Sequence, residues 1–484
     1  MHGALLLEVS AERALVCLRQ GARAQVLAEI RRVLGVPLQV ATVERADVFE
    51  RRLAEAYSQA NQSAAYVADN LEQDMDLSRL VQEMPKIEDL LDAEDDAPII
   101  RMINVLLTQA LRQGASDIHI EPYESRSVVR FRLDGTLQNV AEPHRALHAA
   151  MLSRIKIMAN LDIAEKRLPQ DGRISLRLAG RQIDVRVATL PTGFGERAVL
   201  RLLDKEGGKL ELTSLGMEDA TLAKVDQLIH QPHGIVLVTG PTGSGKTTTL
   251  YAALSRIDSR GLNIMTVEDP IEYELDGVSQ THVNPKIGMT FARALRSILR
   301  QDPDVIMVGE IRDAETADIA VKSALTGHLV LSTVHANDAA GTVTRLIDMG
   351  VPRYLVGSAI TLVMAQRLVR RVCERCRETF TAEPEHVASL AEDGEALLGH
   401  EISRGRGCIA CKQTGYVGRT AIFEVMTLSK QVRRMVLDGL NEDQIKQGAI
   451  TDGFTTLRKA GIRKVLEGMT TIEEIRAATL ADHV

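Results

Sequence analysis

The sequence predicts an α/β chain built on a mostly parallel sheet, with an α+β domain before it and a small metal-held subdomain and a helical region after it. Three observations carry this reading. From about Gly234, near-continuous apolar runs (GIVLVTG, IMTVED, VIMVGEI, LVLSTVH) alternate with amphipathic segments such as FARALRSILRQ and ETADIAVKSALTG. That texture belongs to strands buried on both faces between helices. The run GPTGSGKTTTL joins the first apolar run to a helical segment, and two CxxC pairs follow the apolar runs.

Length and composition set the frame. A chain of 484 residues is too long for one ordinary core, and about three or four compact units are expected. Apolar residues make up 45% and charged residues 25%, the balance of a globular protein. Lys and Arg number 58 against 65 Asp and Glu, aromatics are 3%, and net charge is -7. No basic, aromatic-bearing surface of the kind that tracks nucleic acid stands out, so no nucleic-acid partner is expected. No apolar run reaches the roughly 20 residues of a membrane span, and the start MHGALLLEVSAERALVC lacks a basic stretch followed by a long apolar one. A cytoplasmic location is expected. Five cysteines, four of them in CxxC pairs, suit a reducing compartment; Cys17 reads as a small buried apolar residue.

The elements then follow in order. Residues 1–75 mix short apolar runs with Arg-rich helical stretches and read as a small α+β domain, and the acidic stretch LDAEDDAP closes a solvated linker at 76–98. Over 99–207, Ile100, Ile103, Leu106, Leu107, Ala110 and Leu111 recur at helical spacing up to a capping glycine, Gly114. Val129, Phe131 and Leu133 then alternate with Arg130, Arg132 and Asp134, and Ile183, Val185 and Val187 with Gln182, Asp184 and Arg186. These are half-buried antiparallel strands, whose arginines read at this level as a solvated face. The α/β core is placed at 208–365, the four-cysteine subdomain at 366–425 and a helical region at 426–484.

The chemistry starts at the core's first strand. Gly240, Gly245, Lys246 and Thr247 satisfy GxxxxGK[ST] between a strand and a helix. Small residues let backbone N–H groups and the helix N-terminus close on phosphates, so the contact set is Gly240, Pro241, Thr242, Gly243, Ser244, Gly245, Lys246, Thr247 and Thr248. Lys246 reaches the β and γ oxygens, and the Thr247 hydroxyl ligates Mg²⁺ beside ATP. VIMVGE places Glu310 at a strand end, with Gly309 where many phosphate-loop proteins carry a metal-binding Asp. Magnesium is therefore expected to rely on Thr247, phosphates and water, and Glu310 to orient the attacking water. VEDPIEYE sets Glu268, Asp269 and Glu272 at the same sheet edge, a cluster expected either to share a bridging cation or to form a solvated acidic turn. His328 and His335 bracket what reads as the last strand; a straight strand of that length spans about 23 Å, so the two need separate roles.

Cys373 and Cys376, then Cys408 and Cys411, form CxxC pairs separated by 31 residues. The set reads as a tetrathiolate Zn²⁺ site with no open position, hence structural.

The run GEIRDAETADIAVKSALTGHLVLSTVHAND, with TVEDPIEY and the phosphate loop, resembles the secretion ATPase superfamily that powers type II secretion and type IV pili. VNPKIGMTFARALRSILRQDPDVIMVGEIRD and LIDMGV are most similar to the GspE family, the assembly ATPases of type II secretion. The resemblance runs from about Leu77 to the C-terminus and thins over the first 75 residues. It implies a RecA-like P-loop core, a preceding PAS-like domain and a four-cysteine zinc subdomain. TVEDPIEY corresponds to the family's aspartate box, Glu310 to its Walker B glutamate and TGHLVLSTVH to its histidine box. It also implies a hexameric ring in which the PAS-like domain closes over nucleotide and contributes arginines, for which Arg173 and Arg186 are the candidates. Residues 1–75 would dock onto the cytoplasmic part of an inner-membrane platform protein, which recruits the ATPase peripherally. Its ATP hydrolysis would extend a pseudopilus and export folded proteins. The alternatives are a pilus-assembly ATPase, a nucleotide-gated scaffold and a nucleic-acid motor.

Overall fold

A computed structural model describes residues 4–9, 13–22, 27, 30–32, 36–45, 48–49, 97–178, 181–204 and 211–479. The acidic linker expected at 76–98 lies outside the described residues except for its last two, as does much of the segment before it. The chain divides into two compact units, Met1–Asp204 and Lys205–Val484.

In the first unit, β1 (Ala4–Val9), β2 (Ala14–Arg19) and β3 (Leu38–Glu44) form a three-stranded sheet, with Cys17 fully buried on β2. Beyond it, α1 (Ala97–Arg112) buries Ile99, Met102, Ile103, Leu106, Leu107 and Ala110. Of the predicted stripe, Ile103, Leu106, Leu107 and Ala110 are buried, while Ile100 and Leu111 are half-buried and Ile99 and Met102 take the buried face instead; the helix ends before Gly114 at φ 67°. It joins one apolar core with α2 (Arg145–Met158) and a six-stranded antiparallel sheet of order β6-β5-β4-β9-β8-β7. The strands are β4 (Asp117–Pro122), β5 (Ser127–Leu133), β6 (Thr136–Ala141), β7 (Gln170–Leu178), β8 (Arg181–Thr192) and β9 (Gly195–Asp204). Register sets Arg173 on β7 opposite Arg186 on β8, and Arg186 opposite Arg201 on β9. Arg201 reaches Asp117 on β4, Nε to Oδ1 2.9 Å. Arg173 is exposed and Arg186 half-buried.

The second unit holds a seven-stranded sheet of order β12-β11-β13-β14-β10-β15-β18. Its strands are β10 (Gly234–Thr239), β11 (Ile264–Glu268), β12 (Val278–His282), β13 (Val305–Val308), β14 (Leu329–Val334), β15 (Ile360–Val372) and β18 (Tyr416–Thr427). All neighbours run parallel except β15 and β18. Strands β10, β13 and β14 are buried at every residue, as continuous apolar runs between helices require.

Two expectations need correction here. Strand β14 is not the last of the sheet, because β15 and β18 extend it on the far side of β10. The expected breaks at 365/366 and 425/426 both fall inside strands: β15 runs 13 residues unbroken through Gln366 and Arg367, and β18 continues to Thr427. Polar residues that interrupt an apolar run look like a loop in sequence; here hydrogen bonds satisfy them within a buried strand. Strands β16 (Arg377–Thr381) and β17 (Glu401–Gly405) pair between the two cysteine pairs. The helices Lys430–Asp438, Glu442–Thr451, Leu457–Leu466 and Ile472–Thr479 complete the unit. Fully buried Glu424 ties this region to the core by accepting the N–H groups of Ala339 (2.9 Å) and Leu457 (3.0 Å). Burial pushes its carboxyl up to about 7.

Candidate active site and metal centre

Because β10, β11, β13 and β14 are parallel, the segments that follow them gather at one edge of the sheet, where open α/β sheets bind ligands. After β10 comes the loop Gly240–Gly245, and α3 (Lys246–Leu254) starts at its end with Gly245 as N-cap in the left-handed region, φ 86°. A Cβ on Gly240 would stand 2.5 Å from the Gln366 carbonyl and 2.7 Å from the Ser244 hydroxyl, so only glycine fits against β15. The Lys246 ammonium donates to the carbonyls of Gly240 (2.8 Å) and Pro241 (3.1 Å). Burial lowers its pKa, Glu310 opposes that shift, and Arg367 adds to it. Glu310 and Arg367 therefore share a field with the loop's lysine.

Glu310 follows β13, and its side chain is 13% exposed. The Arg312 guanidinium meets one carboxylate oxygen, and His335 Nε2 lies 3.6 Å from the other. Hydroxyls set this geometry. Thr333 Oγ1 donates to the Gly309 carbonyl (2.8 Å) and Ser332 Oγ to the Val308 carbonyl (2.7 Å), locking the exit of β13 to β14. Thr239 Oγ1 donates to the Val334 carbonyl (2.8 Å), tying the end of β10 to the arm that carries His335. Gly309 also has a packing reason to lack a side chain: a Cβ there would meet the Val267 carbonyl at 3.3 Å and Glu268 Cα at 3.4 Å.

The structure does not gather every residue singled out in sequence. His328 and His335 stand at opposite ends of β14, and His328 pairs through Nδ1 with the Ser323 carbonyl (2.9 Å) at the edge away from the loop. Glu268, Asp269 and Glu272 do not converge as a ligand set. Glu268 is 2% exposed and accepts from Tyr251 Oη, from Thr266 Oγ1 (2.6 Å) and from Gln280 Nε2 (3.0 Å), while Asp269 is exposed. Those donors satisfy the buried carboxylate without a cation. Burial and then the Glu268 carboxylate raise the Tyr251 phenol's pKa, so the hydroxyl keeps its proton and donates.

Among the described residues, the one group placed to hold a metal is Cys373, Cys376, Cys408 and Cys411, whose sulfurs lie within 4.8 Å of one another. Cys373–Cys408, Cys376–Cys411 and Cys408–Cys411 are 3.9, 3.8 and 3.7 Å apart, Sγ to Sγ. A tetrahedral ion with Zn–S of about 2.3 Å needs sulfurs about 3.8 Å apart, so the set fits Zn²⁺ and leaves it no open position. The N–H groups of Cys408 (3.1 Å) and Gly415 (3.3 Å) point at Cys411 Sγ, as they would to support a thiolate. The purified chain is expected to carry about one zinc. The Cys373→Ser/Cys411→Ser variant should lose it and be cut faster by protease between residues 374 and 412; elemental analysis and limited proteolysis check both outcomes.

Comparison with known proteins then places the chain. The family described as "Type II/IV secretion system protein" matches residues 92–477, and a family of amino-terminal domains of GSPII protein E matches residues 1–57. The chain belongs to the type II/IV secretion system protein family. It is 57% identical over 435 residues to the type II secretion system protein HxcR of Pseudomonas aeruginosa, covering 90% of this chain and 88% of that one. It is 48% identical over 457 residues to the type II secretion system ATPase E of Vibrio cholerae, covering 94% and 90%. Among solved structures it resembles the pilus retraction motor PilT with bound ADP, at 25% identity and a TM-score of 0.52, over 77% of this chain and 96% of that one. The fold is thus that of the secretion ATPases.

In this family member the sequence reading passed over the residues that surround the loop from β15. Gln366 and Arg367 both lie against Gly240 and are nearly buried. Arg367 Nη2 donates to the Asn337 carbonyl (2.6 Å), two residues past His335. The signal that could have found them was the parallel pairing of β15 with β10, which a polar break in the apolar run conceals. Arg312, two residues after Glu310 in GEIRD, was legible by proximity alone.

Proposed function

We propose that this chain is the cytoplasmic ATPase motor of a type II protein secretion system, hydrolysing ATP to drive pseudopilus assembly and the export of folded proteins. Family membership supports the system. The placement of Lys246, Glu310 and His335 at one sheet edge supports the chemistry. The relatives at 57% and 48% identity carry type II secretion names, and the likeness to a pilus motor is 25%. The pilus-assembly reading therefore has less behind it.

In the proposed mechanism the loop N–H groups and the N-terminus of α3 bind the phosphates. Lys246 leaves its loop carbonyls for the β and γ oxygens. Mg²⁺, held through the Thr247 hydroxyl, would supply charge neutralisation on the phosphates. Glu310 orients the attacking water, and Arg312 and His335 flank its two oxygens and fix its direction. Glu268 acts as a buried anchor of the edge, and its neighbours Asp269 and Glu272 remain candidates for contact with the nucleotide face. His328 has no path to this chain's own loop, so any role for it lies elsewhere.

Arg173 and Arg186, in the first unit, are proposed to lend positive charge to the γ-phosphate when that unit closes over nucleotide in a hexameric ring. Their face-to-face register supports this reading. An anion set against this pair could be shared by both guanidinium groups, beside the contacts that Arg186 already makes. The amino-terminal domain is proposed to dock on the cytoplasmic domain of an inner-membrane platform protein. Among the described residues no helix is long and apolar enough to cross a membrane, and the partner is proposed to supply the anchorage. The test is phosphate release with and without that platform domain. The expected result is stimulation by the domain and none in Lys246→Ala; turnover indifferent to the domain would oppose the motor reading.

A further inference from the structure

Gln366 is 1% exposed, an unusual degree of burial for a primary amide. Both of its polar atoms are engaged. Nε2 donates to the Ser244 carbonyl at 2.7 Å, and Oε1 accepts from the Thr249 hydroxyl at 2.7 Å. The carbonyl can only accept, which fixes the amide's orientation. Ser244 is the loop residue just before the GK[ST] triplet, and Thr249 lies in the first turn of α3, so one side chain brackets Gly245, Lys246 and Thr247 from both sides. The fit is close on every side: a Cβ on Gly245 would lie 3.0 Å from Gln366 Nε2, and one on Gly240 would lie 2.5 Å from its carbonyl. The strand beneath is held from both sides, β15 pairing with β10 on one and with β18 on the other.

We propose that Gln366 is a positioning residue for nucleotide, holding the phosphate loop in its gripping conformation through the Ser244 carbonyl and the Thr249 hydroxyl. The inference rests on reading the loop as a nucleotide site. An apolar side chain of the same length would leave a buried carbonyl and a buried hydroxyl without partners, and the loop would move to find water. Binding would then select the fraction of molecules whose loop is in place, and affinity falls by that fraction. A loop competent one-tenth of the time binds about tenfold more weakly.

The test uses the full-length, zinc-loaded chain. Affinity for a fluorescent ADP analogue, KM and kcat for ATP, and the unfolding midpoint without nucleotide are measured for wild type, Gln366→Met, Thr249→Val and Thr249→Ser. The expected result is about tenfold weaker ADP binding and a raised KM in Gln366→Met and Thr249→Val, with near-wild-type values in Thr249→Ser, which keeps the hydroxyl. The nucleotide-free midpoint should move little. If Gln366→Met fails to fold, the Thr249 pair decides, because Val matches Thr in shape and lacks only the bond. Wild type that binds ADP while the folded variants bind it within about twofold would overturn the positioning role and leave the nucleotide site standing. Wild type that binds no ADP would overturn both.

Discussion

Glu310→Gln lowers steady-state phosphate release about 10³-fold, the middle of the range for losing a general base or water-orienting group. ADP affinity is expected to stay within about threefold of wild type, because the proposed role of the residue is toward the reacting water and not toward the phosphates assigned to the loop. The substitution preserves size and one oxygen, so Arg312 keeps an acceptor while the amide NH2 turns to the His335 side, and Gly309 continues to pack on Val267 and Glu268. The effect therefore falls on kcat. Malachite-green phosphate release and nucleotide titration separate the two quantities. A nucleotide-gated scaffold, which binds ATP without turning it over, predicts that wild type and variant release phosphate at the same negligible rate.

Much of this site is legible in the sequence. The phosphate loop declares itself because its chemistry needs a contiguous run of small residues at fixed spacing, and contiguous signals survive in sequence. The four cysteines declare themselves for the same reason. Glu310 and His335 are readable as ends of apolar strands, and parallel pairing brings their exits to one edge. What sequence could not give was cross-strand neighbourhood. Gln366 is more than a hundred residues from the loop it touches, and it stands just past the expected boundary at 365/366, where β15 in fact continues. The acidic cluster misled in the opposite direction. Glu268 looked available for a cation, yet Tyr251, Thr266 and Gln280 already occupy it. His328 and His335 share one sequence box and stand at opposite ends of one strand, a separation that spacing alone anticipated.

The second large effect concerns Arg173 and Arg186. An arginine delivered to a phosphoryl-transfer site contributes roughly 10³ to 10⁵ in rate by stabilising the charge that develops on the equatorial oxygens. Removing both is thus expected to lower turnover at least about 10³-fold, while ADP still binds the loop of the second unit. Arg173 is exposed, so its replacement by Gln removes charge with little packing loss. Arg186 is half-buried and has further contacts, so the unfolding midpoint is followed in parallel. A loss of turnover at an unchanged midpoint assigns the effect to charge.

The central claim is that γ-phosphate cleavage needs the loop of the ATPase unit together with arginines brought to it in an assembled ring. Turnover per chain, measured against protein concentration for wild type and for Arg173→Gln/Arg186→Gln, addresses it most directly. Wild-type turnover should climb with concentration as chains assemble, and the double variant should stay at least about 10³-fold lower throughout. Full-speed turnover independent of concentration, in both proteins, would contradict the account.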